Sequence, residues 1–315
     1  MAAARGGRAV AVALSIFAAF LWATYYIFVL RVTPAASPSA ILVYPFVFGG
    51  IGYVIWALAR GEARAFAGLW RDPASYGRLG VLVGFQVGVL AATYLTGPVD
   101  AALLSLIGDV VVTPIVVATV FAAHREHIGT PLFAAGLILS LAGGSLAIAG
   151  GQRLESVPPI GWLVVPCVPI FAAFFFLLTA RANEKAPASS VVAQSMVAAA
   201  IVLALAAPLF PGGWDGLVRV PPVALLLLVV CGVTNFFLAD AIYFEAIAQV
   251  GLVIPPMLMT GIPVFTLILS ATLLGIHLPL LGVVGIPIAV VGALLALRGG
   301  ARPVTPGDGA QAPGV

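Results

Sequence analysis

The run VALLLLVVCGV, from Val223 to Val233, contains no polar side chain and decides the class of fold that this chain adopts. A strand of a membrane β-barrel alternates apolar and polar residues over about ten positions, and this run shows no such alternation. A helix that crosses a bilayer needs about 20 mostly apolar residues, and the run lies within such a stretch at 222–246. We therefore expect an all-α integral membrane protein.

The composition of the whole chain supports this interpretation. Of its 315 residues, 62% are hydrophobic and 8% are charged, and the mean hydropathy is +1.18. Because a soluble domain carries about 25% charged residues, the 14 basic and 11 acidic residues are too few for a water-facing surface. The composition excludes a soluble enzyme, a nucleic-acid-binding protein and a disordered chain, and it makes the lipid bilayer the first partner.

Nine other stretches have similar length and character, so the sequence predicts ten transmembrane helices. They lie near residues 9–30, 38–59, 79–97, 100–123, 131–150, 159–180, 188–209, 222–246, 250–274 and 280–298. The longest connection, 61–77, is expected to lie along the inner membrane surface as an amphipathic segment. The Pro- and Gly-rich tail at 301–315 is expected to be disordered.

The distribution of basic residues predicts the orientation of these helices. If the amino terminus is inside, the outer connections hold only Arg31, Arg153 and Arg219. The inner turns and tails hold eleven basic residues: Arg5, Arg8, Arg60, Arg64, Arg71, Arg78, Arg125, Arg181, Lys185, Arg298 and Arg302. By the positive-inside rule, we expect a multi-pass protein of the cytoplasmic (plasma) membrane with both termini in the cytoplasm.

The two halves of the chain show an internal repeat. A shift of 149 residues superposes matching residues: Pro114 on Pro263, Gly136 on Gly285, Gly143 on Gly292, Tyr94 on Tyr243, and the amide Gln86 on the amide Asn235. At a shift of 154, Ile16–Phe20 recurs as Ile170–Phe174. Because the repeat unit holds five helices, an odd number, the second copy is expected to be inverted. We expect a cytoplasmic amino terminus at 1–8 and two inverted five-helix repeats at 9–151 and 152–300.

Several short motifs lie along these two halves. They are Leu21-Trp22, the segment from Leu104 through Pro114 to Arg125-Glu126-His127, the helix that contains Gly136, and Ile262-Pro263-Val264-Phe265 running to Leu274-Gly275. With these motifs the chain resembles the EamA-like ten-helix transporters of the drug/metabolite transporter superfamily. The resemblance implies two interlocked bundles around a central cavity lined mainly by helices one, three, four, six, eight and nine. Ile276 and Tyr44 depart from acidic and arginine residues common in that family.

Asp109 is the most informative polar residue, since it lies about halfway along the fourth predicted helix. An aspartate at the bilayer centre costs about 2.5–3.5 kcal/mol to insert, and such residues usually face a cavity or a polar partner. Asp109 is therefore a candidate proton acceptor and substrate ligand, with an internal hydrogen bond as the alternative. Pro114 and its counterpart Pro263 are candidate hinges, and static kinks are equally compatible with them.

Other polar and aromatic residues are candidates for substrate binding. Asp240, nearer the cytoplasmic end of the eighth helix, is a candidate proton site or substrate contact. Gln86 and Asn235 are suited to bonding a polar substrate from two sides. An aromatic wall for flat molecules or cations is predicted from five residues, Trp22, Tyr25, Tyr26, Tyr94 and Tyr243. Ordinary packing and interhelical hydrogen bonds are the alternative for each of them.

No metal site and no cofactor are expected. Cys167 and Cys231 lie in apolar segments, and His124 and His127 have no further ligands at the spacing that zinc sites use. The only lysine, Lys185, is not part of a phosphate-binding loop.

The sequence thus predicts a secondary active transporter that moves a small organic metabolite or drug-like solute by alternating access. Proton-coupled export is the proposed mode, with Asp109 exchanging a proton for the substrate. Since no arginine or lysine is placed in mid-membrane, neutral, zwitterionic or cationic substrates are favoured. A membrane-embedded enzyme and a passive channel are the alternatives, and the sequence makes no prediction of oligomeric state.

Overall fold

The computed structural model describes residues 2–96, 101–102, 130–149, 159–250, 258–275 and 280–300, and these ranges contain helices and turns without a strand. The helices are α1 Ala2–Val32, α2 Pro38–Ala59, α3 Ala63–Leu69, α4 Ala74–Thr96, α5 Pro131–Ala149, α6 Pro159–Asn183, α7 Ala188–Leu205, α8 Gly213–Val218, α9 Pro222–Cys231, α10 Asp240–Val250, α11 Ile262–Leu274 and α12 Leu280–Gly300. Short 3-10 turns occupy Ala207–Leu209 and Met259–Gly261, and a π segment, Gly232–Ala239, joins α9 to α10.

The all-α class is confirmed by these elements. Within the described ranges, five helical stretches are long and apolar enough to cross a membrane: Val10–Val32, Pro38–Ala59, Ala74–Leu95, Ala188–Leu205 and Pro222–Ala246. Four shorter apolar helices accompany them, at Pro131–Leu146, Cys167–Asn183, Ile262–Leu274 and Leu280–Ala296. The count of ten helices and the inverted repeat stay predictions. Asp109, Pro114, His124 and His127 lie outside the described residues, together with nearly all of the fourth predicted helix and the tail at 301–315.

Local sequence signals account for several helix ends. Ser37 is the N-cap of α2, and its Oγ accepts a hydrogen bond from the Ala40 N–H at 3.3 Å. Pro38 follows it, at a position where a helix does not need the missing N–H. Gly275 ends α11 with a φ of +64°, a left-handed conformation that favours glycine.

The connection between α2 and α4 contains the short helix α3, where the sequence predicts a surface segment. The Glu62 carboxylate precedes α3 and accepts hydrogen bonds from the hydroxyls of Ser189 and Ser190, the latter at 3.0 Å. Glu62 also lies 3.7 Å from Arg60. The start of α7 is therefore joined to the end of α2 by side-chain bonds rather than by apolar packing alone.

Helices α5 and α12 pack so closely that their backbones touch. A Cβ added to Gly136 would lie 2.6 Å from the Gly292 carbonyl oxygen, and one added to Gly143 would lie 2.7 Å from the Gly285 carbonyl oxygen. Side chains larger than hydrogen do not fit at these crossings, which explains glycine there. Elsewhere α2 packs on α7, α4 on α6, and α1 on the π segment, α10 and α11.

The π segment packs directly against α2. A Cβ on Gly49 would lie 2.5 Å from the Phe236 Cβ, and one on Gly232 would lie 2.8 Å from the Pro45 carbonyl oxygen. Short π segments inside α-helices occur frequently at functional sites, because their wider turns alter the backbone hydrogen bonding. This one immediately precedes Asp240, and it brings the predicted polar residues of the eighth helix to one place.

Candidate functional site

A cavity lies where α1, α4, α6, α7, the π segment, α10 and α11 meet. The cavity has a volume of about 870 Å³ when its open mouth is included. The described lining residues are Trp22, Tyr25, Tyr26, Leu82, Phe85, Gln86, Val89, Ala172, Phe175, Phe176, Met196, Asn235, Phe236, Asp240, Tyr243, Phe244, Met259 and Ile262. Half of them are aromatic, and Asp240 is the only one with a charged side chain. A mostly apolar pocket with a few polar groups is the usual form of a small-molecule site.

The indole of Trp22 links two polar groups of this cavity by hydrogen bonds. Its Nε1–H donates to the Asp240 Oδ1 at 3.0 Å and to the Asn235 carbonyl oxygen at 3.1 Å. One donor on α1 thus contacts both a carboxylate of α10 and a backbone carbonyl of the π segment. Asp240 is 8% exposed, and no ion pair joins it to a described residue.

Asn235 forms the second polar contact between α1 and the π segment. Its Nδ2 donates to the Thr24 Oγ1 at 3.3 Å and to the neighbouring Thr234 Oγ1 at 3.0 Å. Thr24 in turn donates to the Leu21 carbonyl oxygen at 2.6 Å. Because Asn235 is buried, these bonds satisfy an amide that would otherwise be costly in an apolar setting.

Aromatic rings form the rest of the wall. The Trp22 and Tyr243 ring centroids are 4.9 Å apart, and Phe176 lies 5.9 Å from Tyr243. Tyr25 contacts Phe236 edge-on at 5.7 Å. These spacings fall in the range of favourable aromatic pairs, so the rings fix one another and present apolar faces to the cavity.

The structure brings together most of the residues that the sequence singles out. Gln86, Asn235, Asp240, Trp22, Tyr25 and Tyr243 all line the cavity. Tyr94 does not: it is 37% exposed, one turn or more beyond the lining residues of α4. Pro263 lies in the first turn of α11, where proline is readily accommodated, and Met259–Gly261 forms a 3-10 turn just before it. Whether these residues act on a substrate stays a prediction.

Arg78 lies inside a helix, where the sequence predicts it in a turn. It is counted above among the inner turns, but α4 begins at Ala74 and Arg78 is 1% exposed. Its guanidinium donates to the Ser195 Oγ at 2.8 Å, the Gln194 Oε1 at 2.6 Å and the Ser75 Oγ at 3.3 Å. The sequence feature that could have indicated this position is spacing. Arg78 lies four residues before Leu82, which lines the cavity, and residues four apart share one face of a helix.

We expect Trp22→Phe to lower the thermal stability of the purified protein. The variant keeps a ring near Tyr243 but leaves the Asp240 Oδ1 and the Asn235 carbonyl oxygen without their donor, which should cost about 2 kcal/mol. Trp214→Phe is the matched control, because Trp214 also donates to a carbonyl, that of Ala204, but is 59% exposed. Its loss should stay below about 0.5 kcal/mol. Equal shifts in melting temperature in detergent would contradict the role assigned to Trp22.

Apolar helices long enough to cross a bilayer, packed around an aromatic cavity, define the class of multi-pass membrane proteins. Residues 159–298 match the model of the EamA-like transporter family. Residues 159–298 are therefore similar to an EamA-like domain, and the resemblance predicted from the sequence is confirmed for this part of the chain. That family is described as one of transporters.

Most of the chain is also similar in fold to a solved protein. A solved crystal structure matches 91% of this chain, and the match covers 96% of the solved chain. The TM-score is 0.66 and the sequence identity is 19%. At this identity the likeness concerns the fold alone. A comparison with curated proteins finds no match.

Proposed function

We propose that the protein is a secondary active transporter that moves a small organic solute by alternating access. The observation that carries this proposal is the cavity, because helices of the EamA-like domain and helices of the first half both line it. Trp22 and Gln86 come from α1 and α4, whereas Asp240 and Tyr243 come from α10. A site between the two halves is the arrangement in which movement of one half against the other changes access to it.

The inverted repeat is part of the proposal, and the contacts of α5 and α12 support it. Gly136 approaches Gly292, and Gly143 approaches Gly285. The 149-residue shift that superposes Gly136 on Gly285 also superposes Gly143 on Gly292, so it exchanges the two contacts. The same shift relates α1 to α6 and α4 to the α9–α10 region. Accordingly, α4 packs on α6, and the α9–α10 region packs on α1. Contacts that exchange in this way are expected of two halves related by a two-fold axis.

The proposed coupling uses a carboxylate of the cavity. Asp240 would bind either a proton or the polar group of the substrate, so that each excludes the other and affinity differs between states, as coupling requires. Asp109, the residue for which the sequence predicts this exchange, lies outside the described residues and stays part of the proposal. Proton-coupled export, a cytoplasmic membrane and cytoplasmic termini complete the proposal.

Ligand screening followed by transport measurement tests the function. Amino acids, nucleosides, polyamines and dyes are screened for stabilisation of the purified protein, and each ligand that stabilises it is assayed in proteoliposomes. Saturable uptake with counterflow is the expected result. Flux that neither saturates nor shows counterflow would indicate a channel, and product formation without a gradient would indicate an enzyme; either result contradicts the proposal.

Alternating access also predicts how a cysteine in the cavity reacts. In a variant whose Cys167 and Cys231 are replaced by alanine, Gln86→Cys should react with a membrane-impermeant maleimide from either face, in right-side-out and in inverted vesicles. Ser140→Cys is the control, since Ser140 is fully buried between α5 and α12 and should react from neither face. Reaction of the Gln86→Cys variant from one face alone would indicate a one-sided cleft and would refute alternation.

A further inference from the structure

We infer that the cavity selects an organic monocation bearing an aromatic or similarly apolar group, of the arylalkylammonium class. This inference rests on the proposed function, because it names the class of solute that the same cavity accepts. It is narrower than the neutral, zwitterionic or cationic solutes that the sequence favours. Three features support it: a carboxylate without a cationic partner among the described residues, a wall of rings, and the position of Arg78 outside the lining.

The carboxylate is the first feature. Asp240 is the only charged residue among the described lining residues, and none of them is an arginine, lysine or histidine. Its Oδ1 accepts from the neutral indole of Trp22, and its other oxygen accepts no hydrogen bond from the described residues. A carboxylate within a membrane-spanning helix needs a counter-charge or a proton. An ammonium group on the solute supplies that charge and can donate directly to the free oxygen.

The aromatic wall is the second feature. Ammonium groups are attracted to the faces of tryptophan, tyrosine and phenylalanine rings within about 6 Å. Trp22 and Tyr243 contact one another beside Asp240, and Phe176 extends the wall from α6. The same rings offer apolar area to an aryl group on the solute. Carboxylate and rings together therefore favour a cation over a neutral molecule of the same shape.

The position of Arg78 is the third feature, because it weighs against anions and zwitterions. Arg78 is not a lining residue, and its guanidinium is already bonded to Ser195, Gln194 and Ser75. A carboxylate on the solute would lie in the cavity with Asp240 and without a described cationic residue among the lining side chains. Like charges at close range in a low dielectric repel strongly, so adding a carboxylate to the preferred solute should weaken binding.

Three related probes separate these classes. 2-Phenylethylamine is a cation at neutral pH, 2-phenylethanol is its neutral counterpart of equal size, and phenylalanine is the same amine with a carboxylate added. Dissociation constants are measured by titration calorimetry on the full chain in detergent. We expect the amine to bind about tenfold or more tightly than either other probe. Equal binding of the three, or tighter binding of the alcohol or of phenylalanine, would overturn the inference without any variant.

Variants then assign the preference to Asp240. Asp240→Asn should bring the amine's affinity down to that of the alcohol, whereas Asp240→Glu, which keeps the charge, should retain part of the preference. Asp215→Asn is the matched control, since it removes the same charge from an exposed position on α8, and it should bind the amine as the unmodified chain does. A melting curve verifies that each variant is folded. Undiminished preference in folded Asp240→Asn would overturn the inference.

Transport assays distinguish failure of this inference from failure of the proposed function. If the amine binds with the expected ranking and shows no counterflow, the selectivity stands and the transport function fails. If another solute shows saturable counterflow and the amine does not compete with it, the transport function stands and the selectivity fails. Counterflow of the amine itself, competed weakly by the alcohol and by phenylalanine, supports both.

Discussion

Gly143→Val is expected to separate α5 from α12 and to lower the free energy of unfolding by about 3 kcal/mol, the upper part of the range for overpacked cores. An ideal Cβ at this position would lie 2.2 Å from the Ala289 backbone nitrogen and 2.7 Å from the Gly285 carbonyl oxygen. Backbone atoms cannot rotate away as a side chain can, so the two helices themselves must move. The measurement is the melting temperature of the detergent-purified chain.

Gly80→Val is the matched control for that experiment. Gly80 lies within α4, and a Cβ there would meet nothing within 4 Å. The same substitution at this open position should change stability by less than about 1 kcal/mol. A Gly143→Val protein that melts with the unmodified chain would show that α5 and α12 do not cross at this glycine.

Gln194→Leu should give the second large effect, because it removes the acceptor nearest to the buried Arg78 guanidinium. The 2.6 Å bond to the Gln194 Oε1 is lost, and leucine cannot replace it. A hydrogen bond to a charged group contributes about 1.5–3 kcal/mol, and we expect a loss of that size in unfolding free energy. Thermal melting in detergent measures it.

Gln194→Glu is the matched control for the Gln194→Leu variant. A carboxylate at the same position keeps an acceptor for Arg78 and adds an opposite charge, so its melting temperature should stay closer to that of the unmodified chain. A result in which leucine and glutamate destabilise equally would mean that bulk at position 194, and not the bond to Arg78, determines stability.

The sequence predicts the fold largely because hydropathy and helix length are set by the bilayer. The second, fifth, sixth and tenth predicted helices agree with α2, α5, α6 and α12 within a few residues. Their ends are marked by local signals such as Pro38 and Pro131, which need no tertiary information. The π segment is different: nothing in Gly232–Ala239 alone predicts a wide turn, and its close contact with α2 at Gly49 joins residues far apart in the chain.

The candidate site is predicted as a set of residues but not as a set of contacts. Trp22 and Asp240 are each unusual in an apolar helix, which is why both are identified from the sequence. Their hydrogen bond joins residues 218 positions apart, and no local pattern specifies it. The predicted repeat has the same limit: Tyr243 lines the cavity, whereas Tyr94, its counterpart at the 149-residue shift, does not line it and is 37% exposed.

The wide turn before Asp240 makes the location of the carboxylate depend on chain length as well as on chemistry. A π turn takes up more residues than an α turn, and one residue of an α-helix corresponds to about 100° of rotation. Loss of a single codon between Cys231 and Asp240 would therefore let this stretch close as a regular α-helix, and Asp240, Tyr243 and the rest of α10 would shift together relative to Trp22. In a comparison of related sequences, a gap in this stretch would carry more information about ligand preference than a substitution would.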